Sequence, residues 1–490
     1  MNMAAQALAG PPDQVCIRVP DPTGGGGDGT GTVTYRELAQ MTDRAARGLA
    51  TWVKPGDRVG VLFEQDVWCA VTHLALWKLG AISVPLFTKF RRDALASRIK
   101  DAGIRYVLTD HDSKALVGDL AQAIIPADIG QDGPELPFAK ADAAVLIYTS
   151  GTTGKPKGAL HGHTLLTGHL PGVSLSHNTL GEAGDCLWTP ADWAWIGGLF
   201  DVLMPGLALG VPVVAHSPAK FDPDETARMI ADMGIRNVFF PPTALRMLKA
   251  VGTRISGLRS VASGGEPLGP EMLAWGRDAL GVTINEFYGQ TECNMVVSSC
   301  AAQFDPRPGC MGKPVPGFDV TVIDADGNIT DVEGDIAVRR GAPSMMLRYW
   351  QNPGATAEKF RSDWMLTGDR GVREGEFIRF VGRDDDVITS AGYRIGPAEI
   401  EDCLLTHPDV ATVGVVGKPC ALRTEIVKAY VVRKPQTSVQ APELQDFVKD
   451  RLASYSYPRE IDFVDALPMT VTGKVIRKDL RARAAKETTA

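Results

Sequence analysis

At 490 residues the chain is too long for one hydrophobic core and implies about two to four domains. A hydrophobic content of 44% is that of a soluble globular protein, and a net charge of −7 excludes a general nucleic-acid binder, which would carry a basic face. Its eight cysteines form no Cys-x-x-Cys pair and match no zinc spacing, which excludes a zinc module and points to reduced thiols in the cytoplasm.

In chain order, the N-terminus lacks the basic start of a signal peptide. Residues 21–32 are a glycine-rich turn between two early strands. Residues 35–53 read as a helix, with Leu38, Met41, Ala45 and Leu49 at helical spacing; 58–63 is a strand, 66–79 a helix and 81–86 a strand. The apolar stretch 193–215 is broken by Asp201, Pro205, Pro212 and glycines, so it reads as a buried helix and strand and not as an integral membrane span. Asp222-Pro223 starts a helix that Gly234 ends, and 237–240 is the next strand. This alternation predicts an α/β fold of parallel sheets flanked by helices. The character changes at 382–387, a charged, glycine-bounded stretch suited to a linker. Beyond it lie a helix at 397–406, strands at 410–416 and 426–432, a helix at 442–453 and a basic end. The expected domains are 1–383 and 384–490, the second of ordinary domain size.

The most informative segment runs from Tyr148 to Gly158. Apolar Val145 to Tyr148 lead into Thr149, Ser150, Gly151, Thr152, Thr153, Gly154 and Lys155, then Pro156, Lys157 and Gly158. Glycines let the backbone approach closely, and successive N–H groups with hydroxyls and lysines suit a polyphosphate. It is not a Walker A loop: only Thr152 and Thr153 separate the glycines, and Pro156 stands where that motif needs a hydroxyl.

This segment closely resembles the phosphate loop of the adenylate-forming enzymes, which include acyl- and aryl-CoA synthetases, firefly luciferase and the adenylation domains of peptide synthetases. Thr34-Tyr35-Arg36-Glu37-Leu38, Lys54-Pro55-Gly56-Asp57, Gly265-Glu266-Pro267, Tyr288-Gly289-Gln290-Thr291-Glu292, Thr367-Gly368-Asp369, Gly382-Arg383-Asp384-Asp385-Asp386, Gly392-Tyr393-Arg394 and Gly473-Lys474 also look like family motifs, in the family's order across nearly the whole chain. The closest pattern is the medium-chain and acetyl-CoA synthetase-like branch.

The resemblance implies a large N-terminal region of several subdomains and a small mobile α+β C-terminal domain. It implies that ATP and a carboxylic acid give acyl-AMP and pyrophosphate, and that coenzyme A then gives acyl-CoA and AMP. Thr149 to Lys155 would cradle the phosphates. Thr291 and Glu292 would serve catalysis, with Glu292 holding Mg²⁺. Gly265, Glu266, Pro267 and Glu286 would line the adenine site, Tyr288 would stack on the ring, and Asp369 would accept the ribose hydroxyls. Arg383 and Arg394 would contact ribose and phosphates. Lys474 would bridge the acid and the α-phosphate. The C-terminal domain would turn about Asp385, with Asp384 and Asp386 as alternatives, to bring Gly392 and Tyr393 to the thiol. Gly392 is expected where a narrow channel tolerates no side chain.

By the same resemblance Trp193, Trp195, Ile196 and Gly197 would wall the acyl pocket, each tryptophan being equally readable as core. Acetyl-CoA synthetases carry tryptophan at the Gly289 position. Gly289 and Gly264 are therefore expected to leave an open floor, which implies an apolar acid larger than acetate: medium-chain, branched or aryl. The partners implied are ATP, coenzyme A and that acid, with a homodimer left open and no nucleic acid. The alternatives are a stand-alone adenylation enzyme that loads a carrier protein and a non-catalytic nucleotide-binding homologue.

Overall fold

The computed structural model describes residues 2–20, 30–149, 156–218, 220–265, 268, 270–307, 309–383, 388–468, 475 and 477–487. The chain divides into two compact units. One gathers Met1–Thr88, Ala102–Ile147 and Gly158–Gly382; the other gathers Lys89–Asp101, Tyr148–Lys157 and Arg383–Ala490.

Local chemistry starts the helices where the sequence signals them. Thr34 Oγ1 accepts the Glu37 N–H at 3.3 Å and Glu37 Oε2 accepts the Thr34 N–H at 2.8 Å. This capping box opens the helix Tyr35–Leu49 and stabilises it by about 1 kcal/mol. The helix ends at Leu49 and not at 53. Its Tyr35, Leu38, Ala45 and Leu49 enter the main core with Trp77 and Phe200. Asp222 Oδ1 accepts the N–H groups of Asp224 and Glu225 at 3.0 and 2.9 Å and so caps Pro223–Asp232. The 193–215 stretch folds as expected, into a helical run from Ile196 to Leu209, buried from Gly198 to Leu207, and a buried strand Val213–Val214. Among the described residues no helix is long and apolar enough to cross a membrane. All eight cysteines are free thiols, seven of them buried.

The first unit holds two large sheets, each containing a run of parallel strands. In the nine-stranded sheet, Val15–Pro20, Val213–Val214, Leu187–Trp188, Asn237–Phe239, Ser260–Gly264 and Ile284–Gln290 run parallel in that order. Antiparallel strands close it at both edges, Thr30–Thr34 on one side and Cys293–Ser298 with Lys313–Pro314 on the other. The seven-stranded sheet is ordered Arg348–Tyr349, Lys157–Gly162, Ala143–Thr149, Ile82–Pro85, Arg58–Leu62, Tyr106–Thr109 and Gln122–Ile124. Crossover helices connect most of these strands, which is what parallel pairing requires. A third sheet, of Val320–Ile323, Gly334–Arg339, Trp364–Glu374, Phe360–Arg361 and Phe377–Arg383, is antiparallel. The alternation pattern did not reveal it.

The second unit is α+β. The long hairpin Val410–Cys420 and Thr424–Arg433 pairs with Ile388–Ser390 and, in parallel, with Glu460–Phe463. The helices Pro397–Leu405 and Ala441–Lys449 share its core of Ile400, Leu404, Val415 and Leu444. Chain from the N-terminal half belongs to the same unit. The Arg91 guanidinium donates to Lys449 O at 3.0 Å and the Ala94 N–H to Arg451 O at 3.3 Å.

Candidate active site

The site of the first unit is built at the carboxyl end of the strand Ile284–Gln290. Ligands bind outside the carboxyl ends of strands in open α/β sheets. Gln290 pairs with Cys293, so Thr291 and Glu292 are the two residues of a hairpin turn. The Glu292 carboxylate is buried (8% exposed) and accepts the Tyr349 hydroxyl at 2.5 Å. Tyr349 reaches it because Arg348–Tyr349 forms an edge strand against Ala159 and Leu160. The Met346 N–H donates to Glu292 O at 2.7 Å and fixes the turn from the same side. The His161 imidazole on the neighbouring strand is fully buried. Burial pulls its pKa down to about 4, against the attraction of Glu292, so it is neutral.

The motif Thr367-Gly368-Asp369 is explained by its turn. Thr367 Oγ1 donates to Ile336 O at 2.8 Å and accepts the Asp369 N–H at 3.1 Å. Gly368 takes a φ of +83°, a conformation that favours glycine. Gln290 Nε2 and Lys359 Nζ both donate to Thr367 O at 3.0 Å. The carboxylate this turn presents accepts the Tyr288 hydroxyl at 2.5 Å. Two residues earlier on the same strand, Glu286 Oε1 accepts the Leu268 N–H at 2.8 Å; burial raises its pKa to about 7. Tyr288 joins Asp369 to this strand, which also carries Glu286 and runs on into the Thr291-Glu292 turn. Gly265, with a φ of +96°, follows the end of the adjacent strand Ser260–Gly264.

The residues expected to wall the acyl pocket divide between the core and partly exposed positions. Trp193 is 1% exposed and belongs to the core. Trp195 is half-buried and packs on Phe87 with ring centroids 5.6 Å apart. Ile196 packs against the core, and a Cβ on Gly197 would meet the Phe239 ring at 3.1 Å. The open floor expected from Gly264 and Gly289 is absent. A Cβ on Gly289 would stand 2.1 Å from Asn294 Oδ1 and 2.9 Å from its Cα, and one on Gly264 would stand 2.5 Å from the Phe287 ring. These glycines make way for neighbours that already fill the space.

In the second unit, Ala391 and Gly392, at φ +56° and +80°, form the two-residue turn between Ile388–Ser390 and Tyr393–Ile395. Hairpins of this kind require positive φ, which glycine supplies at 392. Tyr393 stacks on Tyr455 with ring centroids 3.9 Å apart. Thr149 ends its strand, and its hydroxyl donates to Lys157 O at 3.3 Å. Arg383 ends the strand Phe377–Arg383 and Arg394 lies in the middle of Tyr393–Ile395. The expected roles of Ser150, Gly151, Thr152, Thr153, Gly154, Lys155, Glu266, Pro267, Asp384, Asp385, Asp386 and Lys474 fall outside the described residues.

Tyr349, His161, Gln290 and Asn294 were not singled out from the sequence. Gln290 lies within a recognised motif and Asn294 two residues past it; Tyr349 and His161 carry no local signal.

Parallel sheets with carboxylates carried on and beside one strand are an arrangement suited to a nucleotide-handling α/β enzyme. Residues 4–350 match the model of the AMP-binding enzyme family and residues 399–474 that of the AMP-binding enzyme C-terminal domain. The acetyl-coenzyme A synthetase of Bacillus subtilis (strain 168) is 32% identical, over 92% of this chain and 84% of its own length. The mitochondrial acyl-coenzyme A synthetase ACSM2 of Rattus norvegicus is 31% identical over 92% and 85%. A solved o-succinylbenzoate CoA synthetase of Bacillus subtilis superposes with a TM-score of 0.86 at 28% identity, covering 98% of both chains. The chain belongs to the AMP-binding enzyme family.

Proposed function

We propose that the protein is an AMP-forming acyl-CoA synthetase. The observation that carries this reading is the Tyr288–Asp369 hydrogen bond, which joins two family motifs beside the buried Glu292. A carboxylate oxygen of the acid attacks the α-phosphorus of ATP and pyrophosphate leaves. CoA sulfur then attacks the acyl carbon and AMP leaves. Asp369 accepts the ribose hydroxyls, a task for an acceptor-only group with two oxygens. Tyr288 faces the adenine and fixes Asp369 from its hydroxyl end.

Glu292 suits Mg²⁺. Among the described residues no group of three or more potential ligands forms a metal cage, and Mg²⁺ is held by one or two carboxylates together with substrate phosphates. When bound, the ion neutralises charge on the leaving phosphates. Tyr349 holds the carboxylate for it, and neutral His161 adds no competing positive charge.

Lys474 stabilises charge on the transferring α-phosphate, for which a compact ammonium on a long arm is suited. The segment after Arg383 turns about Asp385 between the two steps, and Gly392-Tyr393 meets the thiol. The acid is apolar, because Trp195, Phe87, Phe239 and Phe287 supply the wall.

Product analysis tests the reading. With ATP, Mg²⁺, free CoA and a graded acid panel, acyl-CoA and AMP are expected in equal amounts. Acyl-adenylate that turns over only with an acyl-carrier protein would favour the carrier-loading alternative. Nucleotide binding with no pyrophosphate release under any acid would leave the non-catalytic one.

A further inference from the structure

The residue that fills the space beside Gly289 is held in a defined orientation. Asn294 is 4% exposed. Its Nδ2 donates to Asp201 Oδ1 at 2.7 Å and lies 3.2 Å from His169 Nε2. His169 Nδ1 is 2.8 Å from Leu165 O. A carbonyl only accepts, so Nδ1 carries the proton and Nε2 accepts. Both amide hydrogens of Asn294 are thereby committed, and its carbonyl oxygen is the end turned toward Gly289. Burial keeps His169 neutral, with its pKa lowered to about 3, and raises that of Asp201 well above the ordinary carboxylate range. The three side chains form a buried, fully oriented polar network, the kind that fixes one arrangement.

The same layer continues away from Asn294. Asp201 lies on the segment Leu199–Leu203, and its Oδ2 is 3.7 Å from where a Cβ of Gly197 would stand. The other neighbour of Gly197 is the Phe239 ring, which meets Phe287 with centroids 5.1 Å apart; Phe287 in turn covers Gly264. Gly197, Gly264 and Gly289 thus point their missing side chains at one continuous layer, aromatic on one half and a carboxamide on the other.

We propose that Asn294 is the residue that sets the depth of the acyl pocket, as a carboxamide floor pinned from behind by Asp201 and His169. The proposal rests on the acyl-CoA synthetase reading. An apolar chain that reaches Asn294 Oδ1 desolvates this acceptor and returns no hydrogen bond, which costs affinity. A chain that stops short of it, or one whose far end carries a hydroxyl or N–H donor, escapes that cost. The favoured substrates are therefore short apolar acids and their donor-tipped longer analogues.

Two substitutions of opposite sense test this. N294S shortens the floor and keeps a donor for Asp201; N294Q lengthens it by one methylene. kcat/KM is measured over a homologous series of straight-chain acids, with thermal unfolding followed in parallel. N294S is expected to shift the ratio of longer to shorter acid by about tenfold toward the longer acid, through the KM for acid with that for ATP unchanged. N294Q is expected to shift it the other way. A uniform fall across the series in both variants, with the ratio fixed, makes Asn294 a structural residue only and overturns the proposal. Absence of acid-dependent AMP formation in the unsubstituted protein would instead remove the reading beneath it, and that result is seen before any variant is made.

Discussion

The Tyr349 hydroxyl donates to the Glu292 carboxylate at 2.5 Å, and it is an edge strand pairing with Ala159 and Leu160 that brings it there. A hydrogen bond to a buried charged group contributes about 1.5–3 kcal/mol. Tyr349→Phe keeps the ring and removes only the donor. It is expected to weaken Mg·ATP binding by about tenfold or more and to lower the melting temperature by several degrees, because the same hydrogen bond also stabilises the fold. Calorimetric titration of Mg·ATP checks this. Unchanged affinity would mean that Tyr349 does not position Glu292.

Glu286 gives a pH signature. Burial raises its pKa from 4.5 to about 7, so its contribution to stability is full below the ordinary value and is lost as pH rises through the raised one. Glu286→Gln keeps an acceptor for the Leu268 N–H and removes the charge. The variant is expected to melt higher than the parent above that window and to match it below. Melting curves at two pH values decide it; a gain that is the same at both would show that Glu286 is not penalised by burial.

Gly289→Ala is expected to destabilise the protein by about 1–3 kcal/mol, because a Cβ there would overlap Asn294 side chain and backbone. Denaturant unfolding measures it. A variant as stable as the parent would mean that the strand end has room.

Much of this was legible in the sequence because the signals were local. The Asp222 cap is dictated by residues within a few positions and was read as a helix start; the Thr34–Glu37 cap and the positive φ of Gly368 are as local, but those segments were read only as motifs. What was not legible depends on distant chain. Nothing near Tyr349 announces its pairing with Ala159, and glycine at 289 reads alike whether it opens a cavity or yields to a neighbour. The resolution came from Asn294, whose pose is set by Asp201 and His169 far away in sequence. The third sheet escaped notice because its strands carry no intervening helices to give a βα rhythm.

Lys474 bears on the two half-reactions separately. Lys474→Ala is expected to lower acid-dependent pyrophosphate release by about a thousandfold while pre-formed acyl-adenylate still reacts with CoA. Equal loss of both steps would contradict its assignment to adenylation alone.

The most direct measurement follows the acid's own oxygen. If a carboxylate oxygen attacks the α-phosphorus, an acid labelled with heavy oxygen in its carboxylate leaves one labelled oxygen in AMP after a single turnover with ATP, Mg²⁺ and CoA. Mass spectrometry of the nucleotide is predicted to find that label in AMP, with unlabelled pyrophosphate. ADP as the product, or label in the released phosphates, would contradict the account.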